Sequence, residues 1–132
     1  MADGALSRIM MVEDEPDIQA IAKIALETVG GLTVEICSSG REALDKAPLY
    51  KPELILMDVM MPGMDGPSTL KELRARKDTA SIPVIFMTAK VQPQEVATFK
   101  AVGALGVIAK PFDPMTLAAT VRSIWEKDHA AR

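Results

Sequence analysis

Glu13-Asp14-Glu15 follow the apolar run Ile9 to Val12, Asp58 closes Leu54 to Met57, Thr88 closes Val84 to Met87, and Lys110 follows Val107 to Ala109. Acids, a hydroxyl and an amine thus each stand directly after an apolar segment. Two carboxylates about 5 Å apart repel by roughly 3 kcal/mol at an effective dielectric of 20, so folding alone gives no reason to gather them. A hard divalent cation turns that repulsion into attraction, and magnesium commonly takes one or two carboxylates with waters and phosphate oxygens. For Glu13 and Asp14 alone, a helix cap at Asp14 and a solvated loop at Glu13 explain the residues equally well. Asp58 alone could simply open the turn Met60-Met61-Pro62-Gly63-Met64-Asp65-Gly66. Beside a metal, however, its free oxygen is a nucleophile toward phosphorus and would form an aspartyl-phosphate. A hydroxyl from Thr88 and an ammonium from Lys110 would then share the charge on the equatorial oxygens, and the small Ala89 leaves room for a donor.

Other chemistries lack their residues. The chain has one cysteine, Cys37, and one histidine, His129, in 132 residues. An intramolecular disulfide is excluded, and Cys37 reads as a small buried hydrophobe in a reducing compartment. A structural zinc site wants about four Cys or His ligands and a serine or cysteine triad wants a placed imidazole, whereas His129 lies next to the C-terminus. Net charge is −3 without a block of five like charges, so no clustered basic face for nucleic acid is indicated. The longest apolar runs have four residues, against about twenty for a membrane span, and no signal-peptide pattern opens the chain. The expected location is the cytoplasm, without contact to membrane or nucleic acid.

The elements that must position these residues come from periodicity. Strands are expected over Arg8–Val12, Thr33–Cys37, Leu54–Asp58, Val84–Thr88 and Val107–Ala109. Ile18, Ile21, Ala22, Ala25 and Val29 line one face of a first helix that Gly30-Gly31 ends. Further helices are expected over Gly40–Ala47, Pro67–Arg76 and Pro93–Val102. A last one is capped by Asp113 with Pro114 at its first position, and buries Leu117, Ala118, Val121, Ile124 and Trp125. With 48% hydrophobic and 25% charged residues, the chain can bury a real core, and its length suits one domain. Fivefold alternation of strand and helix implies a doubly wound α/β fold with a parallel sheet and helices on both faces. Ligands bind such sheets beyond the carboxyl ends of the strands, where the acids, hydroxyl and amine fall.

With these motifs the sequence resembles the response-regulator receiver domains of two-component signalling, over about residues 7–127. The matching segments are Val12-Glu13-Asp14-Glu15-Pro16, Met57-Asp58-Val59-Met60-Met61-Pro62-Gly63-Met64-Asp65-Gly66, Met87-Thr88-Ala89 and Ala109-Lys110-Pro111-Phe112. The resemblance implies a flavodoxin-like five-stranded sheet of order 2-1-3-4-5. It implies that Asp58 accepts a phosphoryl group from a phosphohistidine on a sensor histidine kinase or histidine phosphotransfer protein. It further implies that Glu13, Asp14 and Asp58, with the backbone carbonyl of Met60, hold Mg2+ or a similar ion such as Mn2+. Thr88 and Lys110 would bind the phosphoryl oxygens, and the Lys110–Pro111 peptide would be cis.

Departures from the family pattern matter too. Many members carry an aromatic residue three positions before the motif lysine, where this chain has Val107, so the aromatic part of the usual switch is missing. The positions two after Asp58 and two after Thr88, which often tune dephosphorylation, are Met60 and Lys90. The last helix ends near Arg132. The expectation is therefore a single receiver domain over residues 1–132 without an output domain. It would be a signalling phosphoacceptor rather than a classical enzyme, acting through a protein contact at the face of helix 4, strand 5 and helix 5, or by relay transfer. The alternative is a receiver-like interaction module that works without phosphorylation. A phosphatase is disfavoured because Met60 replaces the second acid such enzymes use, and an electron carrier because no phosphate-binding loop follows the first strand.

Overall fold

In the computed structural model, which describes residues 5–130, five parallel strands and five helices alternate along the chain. Strands β1 (Arg8–Val12), β2 (Thr33–Cys37), β3 (Leu54–Asp58), β4 (Val84–Thr88) and β5 (Gly106–Ala109) form one sheet in the order β2-β1-β3-β4-β5. Four strands have the predicted bounds. The fifth starts one residue early because Gly106 pairs with Ile85. Strand residues alternate between the two faces, as the pleat requires. Ile9, Met11, Leu54, Leu56, Ile85 and Met87 pack beneath α1 (Pro16–Lys23) and α5 (Leu117–Ala130). Met10, Val12, Ile55, Met57, Val84 and Phe86 pack against α2 (Gly40–Tyr50) and α3 (Gly66–Ala75). Helix α4 (Pro93–Ala101) lies on that same side but buries none of its residues, and its Phe99 meets Phe86 edge-on at 5.3 Å.

Three helices depart from expectation for identifiable reasons. After Lys23 the first helix widens into a π-helical segment, Ile24–Val29. Its i→i+5 pairing rotates each side chain less than an α-turn does, so the predicted stripe is lost beyond Ala25. Leu26 is buried in place of Val29, which is 44% exposed; Ile21, in the α-helical part before this segment, is also 47% exposed. Helix α2 runs through Pro48 to Tyr50, where Lys51 at φ 55° closes it by donating to the Ala47 carbonyl at 2.9 Å. A proline in the last turn removes a single hydrogen bond there. Asp113 makes the bonds of a helix cap, its Oδ1 accepting from the Met115 N–H at 2.9 Å and its carbonyl from the Leu117 N–H at 3.0 Å, but residues 114–116 form a turn and regular helix starts only at Leu117.

Gly30 ends the π-helical segment against α5, where a Cβ on it would lie 2.3 Å from the Ala118 Cβ. Gly30→Ala is therefore expected to cost about 1–3 kcal/mol by overpacking. Urea denaturation measures the loss, and Ala118→Gly in the same chain should recover part of it.

Candidate functional site

The sheet order places the ends of β1, β3, β4 and β5 side by side, and the register aligns Val12 with Met57, Asp58 with Met87 and Thr88 with Ala109. Asp58 and Thr88 each end a fully buried strand and are 4% exposed. Glu13, one residue past β1, is completely buried. It is not the solvated loop the sequence allowed, and Asp14 is not the helix cap, because Glu15 occupies the cap position of α1, without a side-chain bond to the helix. The turn after Asp58 folds back tightly: the Gly66 N–H donates to the Val59 carbonyl at 2.9 Å, and a Cβ on Gly66 would stand 2.7 Å from the Asp58 carbonyl oxygen. Asp65 then starts α3 by accepting from the Ser68 N–H at 2.8 Å.

Lys110 crosses the crevice from the far strand. Its Nζ lies 3.2 Å from Glu13 Oε1 and 3.3 Å from Asp58 Oδ1, so one ammonium serves two buried acids. Glu13 Oε2 accepts from the Glu15 N–H at 3.0 Å, and Thr88 Oγ1 accepts from the Lys90 N–H at 3.1 Å. Glu13, Asp14 and Asp58 offer carboxylate oxygens all within 4.8 Å of one another. Three carboxylates against one nearby ammonium leave the cluster net negative, and hard oxygen donors in that number suit a magnesium-like ion. Beside them opens a crevice of about 200 Å³ lined by Glu15, Asp58, Met60, Thr88, Ala89 and Lys110. The Lys110–Pro111 peptide is cis.

The profile of the response regulator receiver domain matches residues 9–122. The chain belongs to that family. Among curated relatives, the response regulator Rre1 of Synechocystis is 32% identical over 123 residues, covering 93% of this chain and 53% of that protein. The alkaline phosphatase synthesis transcriptional regulatory protein PhoP of Bacillus subtilis is 36% identical, covering 94% and 50% respectively. The chain thus spans about half the length of these relatives. The chemotaxis protein CheY4 of Vibrio cholerae superposes with a TM-score of 0.82 at 33% identity, over 91% of this chain and 99% of its own. This receiver accordingly has the CheY-like fold, and no helix among its described residues is long and apolar enough to cross a membrane.

Burial is the largest influence on Glu13 in this receiver and raises its pKa, helped by the charge of Asp58, while the Glu15 N–H and Lys110 pull it back. For Lys110, burial acts downward, but the hydrogen bond to Glu13 and the charges of Asp58 and Glu13 outweigh it and leave the pKa raised. The two shifts have opposite consequences. A carboxyl raised in the folded state binds more protons than the unfolded chain, so its contribution weakens folding as pH rises from the ordinary 4.5 through the raised value. The Lys110 contribution is fully present below its ordinary 10.5 and is lost as pH climbs through its raised value. A cation held by Glu13 would compete with its proton. Magnesium-induced stabilisation, read as a shift in thermal midpoint, should therefore decline on acidification before an unperturbed carboxylate would titrate. A shift independent of pH down to 4.5 would remove Glu13 from the ligand set.

Two contributors escaped the sequence. Gln19 Nε2 donates to the Glu13 carbonyl at 2.6 Å and to Ser38 Oγ at 3.2 Å, tying α1 to the loop after β2. Its only signal was a polar residue beside Ile18 in the first helix. An apolar groove of about 360 Å³, lined by Ile18, Ile21, Lys110, Pro111, Phe112 and Pro114, adjoins the crevice through Lys110. Ile21 looked like core, and its exposure on this groove shows only in three dimensions.

Proposed function

We propose that Asp58 accepts a phosphoryl group from a phosphohistidine donor and that the phosphorylated form is read by a protein partner. The carrying observation is the single ammonium of Lys110 placed between Asp58 and Glu13 at the mouth of a crevice that also holds Thr88. An Asp58 carboxylate oxygen attacks phosphorus, the P–N bond to the donor imidazole breaks, and the leaving ring keeps the electron pair. Lys110 and the Thr88 hydroxyl donate to the equatorial oxygens, where charge must be held. Glu13, Asp14 and Asp58, with the Met60 carbonyl, are the residues that would hold magnesium, which when bound neutralises charge on the transferring group. Response regulators partner with histidine kinases, and the groove formed by Ile18, Ile21 and Phe112 supports a donor seat beside the acid pocket. The test is mass spectrometry after incubation with acetyl phosphate. One phosphoryl group should be gained with magnesium and none after chelation; equal gain in both would rule out the ion.

For output, the face of α4, β5 and α5 is favoured. A groove of about 420 Å³ there is lined by Val96 and Lys100 of α4, Val107 of β5, and Ile124 and Lys127 of α5. With no residue of α4 buried, that helix is lightly held, and a small change at Thr88 can shift its population. Met60, two residues after Asp58, has only a thioether to offer water, so the phosphorylated state is expected to be long-lived. Met60→Asn should speed loss of label about fivefold, the scale of one net hydrogen bond. An unchanged decay rate would discount this position.

A further inference from the structure

We propose that Met60 is a peroxide-sensitive modification site whose sulfoxide shortens the life of the phosphorylated state, the second part resting on the assignment of Asp58 as phosphoacceptor. Met60 is 73% exposed although it stands two residues after a buried strand, and its side chain shares the crevice of Asp58, Thr88 and Lys110. Its neighbours in sequence are shielded: Met57 is fully buried and Met61 is 7% exposed. Met115 is as open, at 71%, but does not line the crevice. Oxidation of thioethers follows exposure, so the fold presents Met60 to an oxidant while protecting the methionines of the core.

The chemistry needs only hydrogen peroxide. A sulfur lone pair attacks one peroxide oxygen, an S–O bond forms as the O–O bond breaks, and the other oxygen leaves as water; sulfur is oxidised and peroxide reduced. The product is polar, with an oxygen that accepts hydrogen bonds far better than a thioether does. At the crevice mouth it can hold a water facing the phosphorus. That water attacks, the bond from phosphorus to the Asp58 oxygen breaks, the carboxylate regains its electron pair, and phosphate leaves with a proton released to solvent. Because sulfoxides are enzymatically reducible, the change is reversible.

Brief peroxide treatment of the full chain, peptide mapping, and decay of label from the phosphorylated protein test this together. Met60 should gain oxygen ahead of the buried methionines, and label should then be lost about fivefold faster, as one added hydrogen bond allows. Met115→Leu should keep the peroxide response and Met60→Leu should lose it. Met60→Gln, whose amide oxygen imitates the sulfoxide, should decay faster than the parent before any oxidation. Oxygen on Met60 with unaltered decay, or acceleration that persists in Met60→Leu, overturns the proposal. Failure of the untreated chain to take up a phosphoryl group overturns instead the assignment of Asp58, and peptide mapping reports Met60 oxidation separately.

Discussion

Asp58→Ala is expected to gain no phosphoryl group from acetyl phosphate while becoming slightly more stable in metal-free buffer. Glu13 cannot substitute as acceptor, since it is completely buried and does not line the crevice, whereas Asp58 does. The stability gain follows from charge. Glu13, Asp14 and Asp58 crowd within 4.8 Å while Lys110 supplies one positive charge near them. Removing one acid relieves more repulsion than the attraction it forfeits, by about 2 kcal/mol at an effective dielectric near 20. Intact mass after acetyl phosphate treatment and urea midpoints with and without magnesium measure both effects, and the magnesium-dependent increment should shrink in the variant. Retained phosphoryl uptake would move the acceptor elsewhere. A loss of metal-free stability would show that Asp58 is held by more than Lys110.

Lys110→Met should have the opposite effect on folding. It keeps an apolar stem in the groove that Ile18 and Phe112 also line but leaves Glu13 and Asp58 buried without the ammonium between them. Deleting one partner of a buried ion pair typically costs about 3–5 kcal/mol, and the lower end applies because the Lys110 side chain retains 20% exposure. The loss should be smaller when Asp58→Ala is already present, because the two positions share one interaction. Magnesium should restore more stability to Lys110→Met than to the parent chain, since a cation can take over the neutralising role. Denaturant titrations of the four combinations decide this. A cost below about 1 kcal/mol would mean that the acids are hydrated or protonated without Lys110.

Much of this receiver was legible in its residues because each rule involved is local. Apolar runs of strand length marked β1 to β4 at their observed bounds, and residues closing those runs had to lie at one edge once the sheet was parallel. That places Asp58, Thr88 and Lys110 together without coordinates. Local rules failed where a distant partner decided. The π-helical turn at Ile24–Val29 buried Leu26 and exposed Val29, and it ends where Gly30 passes close to Ala118, nearly ninety residues away in the chain. Asp113 caps as its type suggests, but the regular helix after it starts only at Leu117. The sequence by itself thus determined which groups meet, since strand period and crossover hand leave few ways to wind them. Only the tertiary structure decided how they meet: that Glu13 is buried and shares Lys110 with Asp58, that Gln19 braces it, and that Met60 stands open to solvent. Burial and partnership are properties of surfaces brought together from far along the chain, and no residue's own type or spacing encodes them.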